Sequence, residues 1–232
     1  MSNIFTDMPG VGFKFWGAGD KIDKINDIVV RGTGNFNWSF IFILAVVFFL
    51  YGYNIWKKNW DVVKAGFALY GVHWLYEIAN AIIFKCSGAP LWAVSNDSTT
   101  FILLIGVSWE LSMMFSLAGM ITYMMLPADK NMRLFAKGKF KGIPVRLVVA
   151  IGMALFFSLF ESFLAGVNDG NTFIWQYQWW GVIPVFITTY IPFFLAAVYV
   201  PALKHKTSII VLASIWGLVA ILLMVLIPSG VI

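Results

Sequence analysis

The chain has 232 residues, 60% of them hydrophobic and 12% charged, with a formal charge of +5. That balance excludes an ordinary soluble domain, because several apolar runs reach the ~20 residues that cross a bilayer. The positive charge is no nucleic-acid signal, since the basic residues fall in loops between apolar runs, and a single cysteine, Cys86, excludes an intrachain disulfide or a thiolate cluster.

Residues 1–37 form a mixed tail without the basic, apolar and small-residue order of a cleavable signal peptide. Phe13, Phe15 and Trp16 suit a membrane–water boundary. From Asp20 to Val29 apolar residues recur at helical spacing, with an aspartate at the N-cap and Gly32 beyond the end. This predicts a short amphipathic helix lying on the membrane surface, a plain soluble tail being the alternative. No internal repeat or low-complexity tract is visible.

Residues 38–232 predict an all-α membrane protein, a six-helix transmembrane bundle with spans near 38–56, 62–84, 100–126, 145–167, 181–203 and 207–228. The links after spans one, three and five carry Lys57, Lys58, Lys64, Lys130, Arg133, Lys137, Lys139, Lys141, Arg146, Lys204 and Lys206 against Asp61 and Asp129. The other side carries Lys14, Lys21, Lys24, Arg31 and Lys85 against six aspartates. The positive-inside rule then puts both termini on the non-cytoplasmic side. The outer loop 168–180, rich in Trp and Tyr, reads as an interfacial aromatic belt, or as a lid over a site that opens outward. Pro184, Pro192 and Pro201 bend span five, and Pro192 frees the carbonyl of Thr188.

Against this apolar background stand Glu77, Glu110 and Glu161, on spans two, three and four. His73, Glu77 and Asn80 share one helix face by their spacing. At the rise of an α-helix, Glu77 lies ~10 Å, Glu110 ~15 Å, Glu161 ~9 Å and His73 ~16 Å from the outer ends of their spans. Thr188, Thr189 and Tyr190 fall at similar depth, and Trp74 and Trp109 flank His73 and Glu110. An ionisable group inside a span is costly and is by default a site hypothesis. The plain alternative is interhelical glue, with each carboxyl bonded to a carbonyl or to a serine such as Ser108 or Ser158.

The residue inventory narrows the chemistry. A bis-histidine haem, a dinuclear iron or a copper site lacks ligands, because the second histidine, His205, is in an inner loop. No lysine lies mid-span for a retinal Schiff base, and neither a serine nucleophile elbow nor a phosphate-binding glycine loop is present. No cofactor is expected, and a metal held by His73 and the glutamates stays an open alternative with no motif behind it. What remains is a cluster of carboxyls and an imidazole that suits acid–base chemistry or ion and proton binding.

The order His73-x-x-x-Glu77 on one helix and Glu110 on the next resembles the EXPERA group, which includes the emopamil-binding sterol isomerases. The order of parts over about 38–206 is also similar: a first span, the His-x-x-x-Glu helix, a Glu-bearing helix and two aromatic spans before Lys204, His205 and Lys206. The resemblance implies a lipophilic cavity in which His73, Glu77 and Glu110 shuttle a proton at a sterol-like double bond. The chain differs in having a sixth span, and in carrying Thr188, Thr189 and Tyr190 where the isomerases keep an Asn and a Trp.

The leading expectation is a protein that binds a lipophilic small molecule among membrane lipids, with acid–base chemistry. Glu77 and Glu110 are its expected proton carriers, His73 the relay and Glu161 the polarising group, while Trp74, Asn80, Trp109, Thr188, Thr189 and Tyr190 contact the ligand. The alternatives are a proton- or cation-coupled transporter using the same carboxyls, and a non-catalytic subunit of a homo-oligomer or larger membrane complex.

Overall fold

The computed structural model describes residues 30–33, 36–95, 99–137, 141–166, 173–177 and 179–232. The surface helix expected over residues 20–29 lies outside them. Five helices are long and apolar enough to cross a membrane: α1 (Trp38–Trp56), α2 (Trp60–Ser87), α4 (Val145–Gly166), α5 (Val182–Tyr199) and α6 (His205–Leu226).

The third predicted span is a correction to the sequence reading. Only Trp109–Met124 is helical, and this α3 has 16 residues, short of the ~20 that cross a bilayer. The apolar run before it folds instead as an antiparallel hairpin, β3 (Phe101–Leu104) and β4 (Val107–Ser108), turning at Ile105-Gly106. Ser108 then caps α3, accepting from Leu111 N at 3.3 Å. Hydropathy alone does not separate a buried hairpin from the start of a span. The fold is therefore mostly helical rather than all-α. Its further strands are β1 (Gly32–Thr33) on β3, β2 (Trp92–Val94) on β7 (Phe173–Trp175), and β5 (Arg133–Leu134) on β6 (Ile143–Pro144).

α2 is the central helix and packs on α1, α3, α5 and α6. Asp61 in its first turn and Lys85 in its last complement the helix dipole, and Gly88, at φ 78°, ends it with a left-handed cap. α2 and α3 cross closely at Gly66 and Gly119, where an added methyl on Gly119 would meet the Ala65 carbonyl and Gly66 Cα. Hydroxyl pairs tie the same bundle: Tyr70 to Ser112, and Tyr51 to Ser116, each at 2.6 Å. Such pairs average only about 0.6 kcal/mol inside a membrane, so close packing contributes more than they do. α1 and α6 turn their apolar side chains outward, Phe42, Phe48 and Phe49 on one and Ile221 and Met224 on the other. The outward faces of α1 and α6 thus carry the apolar surface expected against acyl chains.

α5 is not a regular helix. Phe186–Tyr190 forms a π-turn, closed by Ile191 N donating to Phe186 O. It falls just before Pro192, whose ring nitrogen has no hydrogen to give to Thr188. Arg146 secures the far end, donating from Nη1 to Val198 O at 2.7 Å and from Nε to Lys130 O at 2.9 Å.

The loop 168–180 is more than a belt. Of its described part, Phe173, Ile174, Trp175, Gln176 and Trp180 are buried, whereas Trp179 is exposed. β7 turns the segment inward over the bundle, pairing Trp175 with Trp92, Ile174 with Ala93 and Phe173 with Val94.

Candidate functional site

Beneath the β2–β7 ladder lies a cavity of about 10 Å³, lined by His73 and Glu77 of α2, Glu161 of α4 and Thr189 and Tyr190 of α5. Trp92, Gly106, Phe173 and Trp180 close its outer side, and Phe115 and Phe193 its floor. That space holds about one water molecule.

The two carboxyls meet this space differently. Glu161 is held on both oxygens: Trp175 Nε1 donates to Oε1 at 2.9 Å and Tyr190 Oη to Oε2 at 2.5 Å. Glu77 receives Trp92 Nε1 on Oε1 at 3.0 Å, and His73 Nε2 approaches the same oxygen at 3.2 Å. The imidazole contact is at ion-pair distance but off the line of a hydrogen bond. Glu77 Oε2 and both nitrogens of His73 have no hydrogen-bond partner among the described residues, and neither has the indole nitrogen of Trp180. Buried polar groups are nearly always partnered, so these atoms form an open set of donors and acceptors around the cavity. The His73 ring is held by two aromatic neighbours, stacked on Phe115 with centroids 3.9 Å apart and T-shaped to Phe193 at 5.8 Å.

Short-range geometry explains the placement. One helical turn separates His73 from Glu77, and nearly one more separates Glu77 from Asn80. Asn80 clamps the adjoining strand, accepting from Leu91 N and donating to Trp92 O, each at 2.8 Å. That clamp aims the Trp92 indole at Glu77. Gly106 leaves room for the cluster, since a methyl there would overlap Glu77 Oε2, Trp92 Nε1 and Asn80 Nδ2. The π-turn of α5 delivers Thr189 and Tyr190 to the same space.

A second, apolar crevice of about 20 Å³ runs between α3 and α4, lined by Leu111, Met114, Phe157, Phe160 and Leu164. It shares Phe115, Glu161, Phe173 and Tyr190 with the polar cavity. Phe160 is exposed on the outer surface of α4, so the crevice lies on the acyl-chain side of the bundle. The Glu161–Tyr190 pair is thus the wall between an apolar slot and a polar chamber.

Of the residues expected at the site, the structure gathers His73, Glu77, Glu161, Thr189 and Tyr190, with Asn80 behind them. Glu110 stands apart. Its Oε2 accepts from Thr99 Oγ1 at 2.6 Å and its Oε1 from Thr100 N at 2.9 Å, so it ties α3 to the loop before β3. Trp109 is exposed and meets Phe40 edge-on, and Trp74 packs half-buried against Tyr70. Thr188 is exposed too, its hydroxyl donating to Pro184 O at 2.7 Å. The residues missed were Trp92, Gly106 and Trp175. They belong to strands and turns too short for a periodic signal, and Trp175 carried only the look of a belt residue. Among the described residues no three His, Cys, Asp or Glu side chains converge as a metal site.

Comparison with known proteins places the chain. The family model of an uncharacterized membrane protein family matches residues 23–228. A protein of Archaeoglobus fulgidus, described only as uncharacterized, is 34% identical over 176 residues, which cover 74% of this chain and 79% of that protein. No solved structure matches. Together with the five long apolar helices, the match makes this chain an integral, multi-pass member of that membrane protein family.

Proposed function

We propose that the protein takes a lipophilic molecule from the bilayer through the α3–α4 crevice and moves a proton on it at the His73–Glu77–Glu161 chamber. The observation that carries this reading is the shared wall: Glu161 and Tyr190 face the apolar crevice on one side and the polar chamber on the other. A ligand with an apolar body and a small polar or unsaturated centre matches that sequence of surfaces. The ~30 Å³ of the two spaces together is far below the few hundred Å³ of an ordinary small-molecule site, so α3 and α4 part to admit it. Their seam is the place to open, because α3 rests mainly on α2 and little on α4.

In this reading Glu77 is the proton carrier, since one of its oxygens faces the chamber without a partner. His73, whose Nε2 lies 3.2 Å from the other Glu77 oxygen, is the relay. Glu161, held by two donors, orients the polar end of the ligand. Adding a proton at one carbon and removing one from another is balanced without a co-reactant, as in an isomerisation. The resemblance of His73, Glu77 and the following Glu110 to the emopamil-binding group supports the same class of chemistry. Glu110 itself enters here as a structural tie.

The test is proton exchange. Protein in native lipid extract is incubated in D2O, and the lipids are analysed by mass spectrometry. Wild type is expected to label one lipid class and Glu77→Gln to label none; a wild type that labels nothing removes the acid–base reading.

The unpartnered atoms of His73, Glu77 and Trp180 around a one-water space favour a second reading, carriage of protons or a small cation. Proteoliposomes carrying a pH-sensitive dye separate the two. Flux abolished by Glu77→Gln, with no labelled lipid, selects transport.

A further inference from the structure

The other end of the molecule carries a third cavity, much larger at about 380 Å³. It is lined by Lys58, Lys64, Lys130 and His205, with Asp61 as its acidic member. Three lysines against one carboxylate leave a surplus of positive charge before the histidine is counted. Lys64 is buried and paired with Asp61 Oδ1 at 2.6 Å, so it fixes the floor, while Lys58 is exposed and free to reach a ligand. The Lys130 ammonium lies 4.1 Å from the centre of the Tyr123 ring, which holds it at the rim.

The backbone adds to this field. The pocket sits where α2 and α6 both begin, and no side chain caps either start. Asn59, the natural cap for α2, is turned away: its Nδ2 donates to Asn54 Oδ1 at 3.2 Å. Lys58 makes the tight turn between α1 and α2 at φ 57°, a conformation non-glycine residues adopt infrequently. Two uncapped helix starts and three lysines therefore face one roomy cavity at the end of the molecule where the chain concentrates its basic residues.

We infer that this pocket binds a phosphate group, carried either by an anionic lipid headgroup or by a soluble phosphate. The chemistry is the same for both: lysine charges, backbone N–H groups and a helix-start field collect on phosphate oxygens. The site is separate from the His73–Glu77–Glu161 chamber and stands or falls independently of it.

The experiment uses full-length protein in detergent, exposed to equal amounts of phosphatidylglycerol and phosphatidylcholine and read by native mass spectrometry. Inorganic phosphate is the competitor. Lys58→Gln and Lys130→Gln are each expected to lower phosphatidylglycerol retention about fivefold. Lys85→Gln, at the opposite end, leaves it unchanged. Thermal unfolding confirms that each variant is folded, and His205→Gln replaces Lys130→Gln if the latter is not. Selective retention that phosphate does not displace assigns the pocket to a headgroup. Phosphate binding that is lost in the same variants, without lipid selectivity, assigns it to a soluble phosphate. Equal weakening by Lys85→Gln, or a wild type that retains neither probe, overturns the inference.

Discussion

Trp92 and Trp175 are partners across the β2–β7 ladder, and each donates its indole N–H to a different buried glutamate, Trp92 to Glu77 and Trp175 to Glu161. One small antiparallel ladder therefore sets the position of both carboxyls, which come from α2 and α4. Trp92→Phe keeps an aromatic ring against Trp180 but removes the donor. We expect it to lower stability by about 1–3 kcal/mol and to impair lipid labelling in D2O, because Glu77 loses its one indole partner. Full labelling by a folded Trp92→Phe protein contradicts the aiming role given to the ladder.

Tyr190→Phe tests the wall between crevice and chamber. The hydroxyl donates to Glu161 Oε2 at 2.5 Å, and its removal leaves one oxygen of a buried carboxyl without a donor. The expected result is a loss of activity larger than any change in ligand retention. A protein that loses retention and keeps turnover points instead to Tyr190 as a mere contact.

Glu110→Gln separates a structural carboxyl from a working one. Its partners are Thr99 Oγ1 and Thr100 N, outside the chamber. The substitution is expected to cost about 1–2 kcal/mol of stability and to leave turnover within about twofold of wild type. Abolished turnover in a folded Glu110→Gln protein restores it to the mechanism that its place after His73-x-x-x-Glu77 first indicated.

Met114→Trp is the test of entry from the bilayer. Met114 lines the apolar crevice and not the polar chamber. A larger ring there is expected to block labelling of lipid while leaving the fold in place, which an unchanged thermal unfolding midpoint reports. Undiminished labelling moves the entrance elsewhere.

Gly106→Ala probes how tightly the hairpin turn packs on the cluster. A single methyl overlaps Glu77, Trp92 and Asn80 at once, and overpacking of this kind typically costs about 1–3 kcal/mol. Thermal unfolding of purified protein reads it, and a neutral effect shows that the turn can yield.

Hydropathy made most of the bundle legible, because a spanning helix must be apolar for its whole length and its links are free to carry charge. α1 begins and ends at the residues expected, and α4 and α6 differ by only one or two. The hairpin before α3 was not legible. A run such as Phe101-Ile102-Leu103-Leu104-Ile105 is equally apolar as strand or helix, and the deciding elements, Gly106 and the cap at Ser108, act only through local geometry. Within the site, helical spacing brought out His73, Glu77 and Asn80, since one helix presents them together. Glu161 and Tyr190 were visible as polar residues at matching depth. Depth measured along a chain does not tell which way a helix faces, however. Thr188 and Thr189 are neighbours in sequence, yet one is exposed and the other lines the chamber.

The π-turn at Phe186–Tyr190 has an effect that reaches beyond its five residues. An extra residue in one helical turn offsets the azimuth of everything on one side of it by ~100°, the angular step of an α-helix. A regular α-helix built from the same residues would therefore turn the segment before it, Val185 included, away from the chamber. Such a helix would be no less apolar and no less able to insert, but Val185 and Tyr190 would no longer line one chamber.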